Sequence, residues 1–324
     1  MKYTGIVILN YNNYEDTFNC IESIEKLNTS PIKYFIVDNA SPREGCVDVM
    51  DNYFKQNFAS NYMKVSSIER YEGRTPRLSF IVSNNNGGYA QGNNYGLKFA
   101  YDDPEVEYIM ILNNDVLFVQ DIIPSLIENI RNLPNCGIVS PLLYKKDLKG
   151  LDYNCARYTM TFRQAILLNL IMGKPWFGIK NKIDQEQYIL KQHPEFVSRD
   201  FVEIDYPSGS CMIADKSLWK LIDGFDPNTF LYFEEAILFS KTAREEKQNY
   251  LIPSLKCIHL GASSTSKSIS PMQTKLSFKS KKYYMLNYFK VDWFQRFLLR
   301  LTLYIGQLAL YIKFDLFQKI NKSK

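Results

Sequence analysis

The chain is predicted to fold as an α/β domain, a mostly parallel central sheet flanked by helices, with amphipathic helices added at its C-terminal end. Three observations carry this. Four short apolar runs, at 5–9, 32–37, 78–82 and 108–112, have strand length and strand composition, and helical apolar spacing follows the first and the third. Each run stops abruptly on Asn, Asp, Ser or Gly. With 324 residues, 46% hydrophobic and 23% charged, the chain can bury the core such a sheet needs and is not a disordered polymer.

In chain order, Gly5-Ile6-Val7-Ile8-Leu9 is the first strand and ends on Asn10-Tyr11-Asn12-Asn13. A helix with Phe18, Ile21, Ile24 and Leu27 on one face follows. Ile32 to Val37 is the second strand, ending on Asp38-Asn39-Ala40-Ser41-Pro42. The third, Leu78 to Val82, ends on Ser83-Asn84-Asn85-Asn86-Gly87-Gly88 and leads into a helix over about 91–100. The fourth, Tyr108 to Leu112, delivers Asn113-Asn114-Asp115. Taken singly that tip is also what a simple turn looks like, since Asn and Asp favour turns. Strands alternating with helices make βαβ units, however, so all four tips are expected along one sheet edge, where open α/β sheets bind nucleotides. That edge offers Asp38 to a base or ribose, Asp115 to a metal or phosphate, and a Gly-rich helix start to a diphosphate. The Gly-rich stretch has neither the G-x-G-x-x-G spacing of dinucleotide folds nor the Gly-Lys-Ser/Thr of a P-loop, which argues against both.

Asn10-Tyr11-Asn12, Val37-Asp38-Asn39-Ala40-Ser41, Asn84-x-Asn86-x-Gly88-x-x-x-Gly92-Asn93-Asn94-x-Gly96 and Leu112-Asn113-Asn114-Asp115 resemble, in order, the donor-site motifs of family 2 glycosyltransferases, most closely the rhamnosyltransferase-like enzymes of bacterial surface polysaccharide assembly. The resemblance implies a GT-A fold over about 1–265, with a donor half to about 120 and an acceptor half beyond it. Asp38, with Asn10 and Tyr11, would hold the nucleoside, and Asn86, Gly88, Asn93, Asn113 and Asn114 would shape the diphosphate seat. Asp115 would bind a divalent metal, Mn²⁺ or Mg²⁺. Asn113 stands where the family's D-x-D has its first Asp, so one carboxylate holds the cation and donor phosphates must complete its shell.

Farther on, Val202 to Ala214 contains strand-like alternation and Gly209, which allows close backbone approach on the acceptor side. Gly224-Phe225-Asp226-Pro227 and then Phe230 to Leu238 resemble the family's Gly-Gly-Phe-Asp and Phe-x-Glu-Asp segments. Glu234 and Glu235 at a helix start would by themselves suit the helix dipole. The resemblance makes Glu235 the general base for an acceptor hydroxyl, one methylene longer than the usual Asp, with Glu234 beside it. Ile237 replaces a further family Asp, which motivates a rival reading as a nucleotide-sugar-binding protein without transfer. His259 matches the first position of a His-x-x-Gly-x-Ser segment near the metal and diphosphate, although Gly261 falls one residue early; His193 is given no role.

Between 141 and 200 the signal thins to a turn at Lys145-Lys146-Asp147, an apolar or amphipathic helix from Phe162 to Met172, and Lys174-Pro175-Trp176-Phe177-Gly178, readable as an acceptor loop or a surface turn. From 266 onward, Lys275, Lys279, Lys281, Lys282, Lys290, Arg296, Arg300, Lys313, Lys319, Lys322 and Lys324 interleave with aromatics. Nucleic-acid binding is one use of such a pattern. The helical spacing of Trp293, Phe294, Phe297, Leu298, Leu301, Tyr304, Ile305, Leu308 and Ile312 favours an interfacial membrane helix, with packing on the domain or in a homodimer as the alternative. No run reaches the ~18–20 apolar residues of a spanning helix. Six cysteines without metal or disulfide spacing, and no export signal, lead us to expect reduced thiols and a cytoplasmic enzyme on the inner face of the membrane. The expected reaction is inverting transfer from dTDP-rhamnose or a UDP-sugar to a glycan or lipid-linked acceptor, in capsule, O-antigen or cell-wall synthesis.

Overall fold

A computed structural model describes residues 2–69, 71, 73–146, 150–170, 183, 186–261 and 271–322, with side chains of 271 and 313–322 left aside. The acceptor-loop candidate at 174–178 and Ser263-Ser264 lie outside the described residues, as do Lys267 and Lys324 and the side chains of Lys313, Lys319 and Lys322.

The four expected strands are β1 (Tyr3–Asn10), β2 (Ile32–Asp38), β4 (Leu78–Val82) and β5 (Val106–Asn113), joined by the edge strand β3 (Tyr62–Ser66) in the parallel order β3-β4-β2-β1-β5. β2 is buried along its whole length, and β1 and β5 nearly so, as expected for strands covered on both faces. The register sets Asn10 beside Asp38 and Leu9 beside Asn113, so the polar tips share one edge.

Beyond β5 the sheet changes direction. β11 (Cys211–Asp215) lies antiparallel between β5 and β7 (Cys136–Tyr144), and β12 (Gln248–His259) runs parallel to β7. Two short strands, β6 (Val116–Phe118) and β9 (Val202–Ile204), pair antiparallel with β12, and β8 (Ala156–Arg157) pairs with β10 (Tyr206–Pro207) off the main sheet. The fourth strand ends at Asn113, and two residues, Asn114 and Asp115, connect β5 to β6.

Helices Tyr14–Leu27, Cys46–Phe58 and Ile123–Asn132 build one core with Ile21, Met50, Phe54 and Leu126. Helix Gly88–Asp102 builds the other with Leu97 and Phe99, and Trp219 donates its indole N–H to the Ile109 carbonyl at 3.0 Å. A third apolar cluster gathers the helices Phe162–Leu170, Glu234–Arg244, Pro271–Asn287 and Trp293–Lys322. Ile237 is buried in it with Met160, Tyr206, Tyr284, Leu299 and Leu303, so the position where the family has Asp is an apolar packing position here.

The Pro271–Asn287 helix is tied to the sheet domain by specific bonds. Tyr283 and Tyr288 both donate to the Asp226 carboxylate, at 2.8 and 2.5 Å, and Ser280 donates to the Leu231 carbonyl at 2.8 Å. All six cysteines are free thiols. Among the described residues no helix is long and apolar enough to cross a membrane.

Candidate active site

The site forms where the tips of β1, β2, β4 and β5 meet the end of β12 and the start of the Glu234–Arg244 helix. At the tips of β1 and β2, Asn10 donates from its amide to Asp38 Oδ1 at 2.8 Å, and Ser41 donates its hydroxyl to the same oxygen at 2.6 Å. The Ser41 N–H reaches Asp38 Oδ2 at 3.1 Å, so Asp38 is fully enclosed and organises the turn it starts. Tyr11 stands exposed at the rim. Asn86 Oδ1 accepts from Asn39 at 3.0 Å and from the Gly88 N–H at 2.9 Å, which closes the Gly-rich turn. Helix 88–102 begins three residues earlier than its apolar spacing indicates, because Gly88 takes φ 74° and can open it.

Two of the expected diphosphate residues face inward. Asn93 is buried and donates to the Tyr89 carbonyl at 2.9 Å, and Asn114 donates to the Asn13 carbonyl at 2.9 Å and to Thr17 Oγ at 3.1 Å. Asn114 thereby pins the β5 tip to the start of the first helix. Asn113 is bound through its backbone, its N–H donating to the Ser210 carbonyl at 2.8 Å.

Asp115 and His259 are brought together by the β6–β12 ladder, in which Val116 faces His259. Leu260 N–H donates to the Asp115 carbonyl at 2.9 Å, and His259 Nε2 lies 3.4 Å from Asp115 Oδ1 and 3.3 Å from Ser210 Oγ. On the other side of the ring, Nδ1 donates to Asp152 Oδ2 at 2.7 Å. Burial opposes a charged imidazole, yet hydrogen bonds and charge from Asp115 and Asp152 outweigh it and raise His259 to about 9. Burial likewise works to raise Asp152, and the His259 hydrogen bond overcomes it and holds that carboxyl low.

The side of the site that carries Glu235 is built on close approach. Tyr89 donates its hydroxyl to the Gly209 carbonyl at 2.6 Å, and the Gly209 N–H donates to Glu235 Oε1 at 3.1 Å. A Cβ on Gly209 would lie 2.6 Å from the Tyr89 hydroxyl and 2.9 Å from Glu235 Oε1, so the approach that glycine permits is to the carboxylate itself. Gly88 packs as tightly on the Phe230 carbonyl, 2.0 Å from where its Cβ would be, and Tyr89 N–H donates to that carbonyl at 2.9 Å. The donor turn therefore holds the loop that carries Glu235. Tyr232 and Phe233 in that loop both adopt positive φ, 76° and 70°, a strained approach to the helix start.

Glu234 is buried, and one carboxyl oxygen has no hydrogen-bond partner. Burial first, and the neighbouring Glu235 charge second, push it up to about 8, favouring its neutral form, while Glu235 accepts the Gly209 N–H. An acid raised on folding weakens the protein as pH climbs from its ordinary value of 4.5 toward about 8, because the folded state holds a proton that the unfolded state has released. Glu234→Gln is thus expected to raise the melting temperature relative to wild type by on the order of 5 °C at pH 8 and by much less near pH 5, read by thermal unfolding. An offset equal at both pH values contradicts the assignment.

These groups open on a cavity of about 670 Å³, within the usual range for small-molecule sites. Its lining includes Asn113, Gly209, Ser210, Glu235 and His259, and also Phe278, Lys281 and Leu310. The C-terminal helices therefore supply one wall. Asp152 and Tyr89 are functional candidates that sequence reading passes over. For Tyr89, its place directly after Gly88 was an available signal. Asp152 gave none, because it reaches His259 through pairings distant in sequence: Tyr144 bridges Leu151, and Ile258 pairs with Tyr144.

As a cation seat, Asp115 would provide a hard carboxylate suited to Mn²⁺ or Mg²⁺, and His259 an imidazole that releases its Nε2 proton when a cation binds. Among the described residues no group of three or more His, Cys, Asp or Glu side chains could hold a metal. The pair fits an open site that phosphate oxygens and water would complete.

The chain is 25% identical over 245 residues to the low-salt glycan biosynthesis hexosyltransferase Agl10 of Haloferax volcanii, spanning 76% of this chain and 62% of that one. It is 25% identical over 213 residues to the N-acetylglucosaminyl-diphospho-decaprenol L-rhamnosyltransferase of Mycobacterium tuberculosis, spanning 62% of this chain and 64% of that one. The chain thus spans a little under two thirds of the length of these relatives. In three dimensions it is similar to GalNAc-T7, solved with UDP, GalNAc and Mn²⁺, with TM-score 0.57, 13% identity and coverage of 87% of this chain and 47% of that one, a likeness of GT-A fold. The profile of Glycosyl transferase family 2 matches residues 5–187, more than half of the sequence, and the chain belongs to that family.

Proposed function

We propose that the protein is a metal-dependent, inverting glycosyltransferase that moves a sugar from a nucleotide-diphosphate donor to a hydroxyl of a glycan or lipid-linked acceptor. The observation that carries this reading is the Gly209-Ser210 hinge between the two halves of the site. Gly209 N–H holds Glu235, and Ser210 Oγ stands 3.3 Å from His259 beside Asp115. In this reading Glu235 as base and His259 of the cation seat line one cavity, with Asp115 beside His259. The names of the relatives, a glycan-biosynthesis hexosyltransferase and an N-acetylglucosaminyl-diphospho-decaprenol L-rhamnosyltransferase, support transfer of a hexose or rhamnose to a glycan or lipid-linked acceptor; dTDP-rhamnose or a UDP-sugar is the donor in this proposal.

In this reading Asn10 and Asp38 form the floor of the nucleoside seat, and Tyr11 at the rim covers the base. The Asn86–Gly88 turn shapes the seat of the diphosphate rather than donating to it, since the Gly87 and Gly88 N–H groups are taken by Asn39 and Asn86. Asp115 and His259 hold Mn²⁺ or Mg²⁺, which when bound neutralises charge on the departing diphosphate. Glu235 takes the proton of the acceptor hydroxyl as that oxygen attacks the sugar carbon. Neutral Glu234 keeps a second negative charge away from the base. A panel of sugar nucleotides incubated with Mn²⁺, with and without membrane lipid extract, tests the reading. We expect donor consumption with at least one of them; tight nucleotide binding without transfer or hydrolysis would favour a binding protein instead.

The inner face of the cytoplasmic membrane is the proposed location. The Trp293–Lys322 helix packs on the domain through Leu299, Leu303 and Leu310, while Trp293, Phe294, Phe297, Leu301, Tyr304 and Leu308 remain exposed, Trp293 at 81% and Tyr304 at 68%. Arg296 and Arg300 are exposed on the same helix, the charge that anionic headgroups attract. Sedimentation with vesicles containing anionic lipid is expected to carry the wild type down, and Phe297→Glu with Tyr304→Glu to lower that partition about tenfold. Equal partition of both proteins, or a dimer that hides this face, contradicts a lipid surface as its occupant.

A further inference from the structure

We propose that Asp152 is a positioning residue for the cation seat: it fixes the His259 imidazole so that Nε2, and not Nδ1, faces Asp115. This rests on reading Asp115 and His259 as cation ligands. An imidazole presents one nitrogen to a metal only when the other is held, and the group holding it sets both tautomer and ring orientation.

Asp152 is built for that task. Its Oδ2 accepts His259 Nδ1–H at 2.7 Å, and its Oδ1 accepts the Asn154 backbone N–H at 3.1 Å and the Asn154 amide at 3.0 Å. Both carboxylate oxygens are thus engaged, and the side chain is largely buried. The backbone is anchored too, since Asp152 N–H donates to the Leu143 carbonyl at 2.9 Å. Leu143 lies on β7, which pairs with β12 through Cys257, so Asp152 and His259 are held by one ladder. With Nδ1 taken, Nε2 is left between Asp115 Oδ1 at 3.4 Å and Ser210 Oγ at 3.3 Å, on the cavity side. Asp152 itself also lines the cavity, and the effect assigned to it here passes through the imidazole it holds.

The test is a titration of the full chain with Mn²⁺, followed by the electron paramagnetic resonance of the free ion, with UDP as the probe nucleoside diphosphate. Asp152→Asn is expected to weaken Mn²⁺ binding in the presence of UDP by about 10–100-fold while leaving metal-free UDP affinity near wild type, with a lower melting temperature at pH 7 from the lost pair with His259. Asn154→Ala, which loosens Asp152 without removing it, should produce a smaller loss in the same direction. A second readout is the nitrogen-15 spectrum of the imidazoles. The chain has only two histidines, so His259 is distinguished from His193, and in its neutral state it should carry the proton on Nδ1 in wild type and lose that preference in Asp152→Asn. Unchanged Mn²⁺ affinity in Asp152→Asn overturns the inference and leaves the cation seat standing. A wild type that binds no Mn²⁺ with UDP overturns the seat itself, and the inference with it.

Discussion

Glu235→Gln is expected to lower kcat by about 10²–10⁴-fold, the range over which a positioned general base contributes, with donor affinity unchanged. The variant keeps the shape of the side chain and an oxygen that can accept the Gly209 N–H, so the loop between Phe230 and the helix start should keep its place. What it loses is the ability to take a proton. Steady-state kinetics beside equilibrium binding of the nucleotide separates the two effects. Retained turnover would move the base elsewhere, and weakened nucleotide binding would show Glu235 to be part of the donor seat.

Asp115→Asn should reduce transfer by about 10³-fold or more, because the neutral amide neither balances the cation's charge nor offers a strong ligand. The site has little reserve. Asn113 occupies the place of a second carboxylate, and the remaining protein ligand available is His259. Asp115 is 6% exposed and its backbone carbonyl is bound by Leu260, so the substitution changes the chemistry of the tip more than its fold. The variant is expected to melt somewhat below wild type at pH 7, because Asp115 is one of the two carboxylates that hold His259 charged, and the lost rate should not be restored by raising Mn²⁺ to ordinary assay concentrations.

The donor half was legible because its strands announce themselves locally. Ile32 to Val37 and Tyr108 to Leu112 are buried on both faces, so their apolar runs are continuous, and each ends on polar residues that the parallel register aligns. The edge strand Tyr62–Ser66 escaped notice, being half-buried and interrupted by Lys64, which reaches over to Asp51. The acceptor half is built from pairings distant in sequence, above all β11 inserted antiparallel between β5 and β7, and no local pattern encodes that order. The same reason hid Asp152. At the C-terminal end, helical spacing marked an amphipathic helix, but the structure gives it apolar residues on two faces, one covered by the domain and one open. Asn93 and Asn114 show the limit of carrying motif positions onto side chains, since both sit where the motif places them and both bond to the protein's own backbone.

The central claim is that the tip of β5 is the seat of the donor diphosphate. Calorimetric titration of the full chain with UDP, dTDP and GDP, each with Mn²⁺ and with a chelator, tests it most directly in wild type and Asp115→Asn side by side. The account predicts that at least one nucleotide binds wild type about tenfold or more tighter with Mn²⁺, and that Asp115→Asn abolishes this gain while keeping the metal-free affinity. A gain that survives in Asp115→Asn, or no dependence on Mn²⁺ for any nucleotide in wild type, would contradict it.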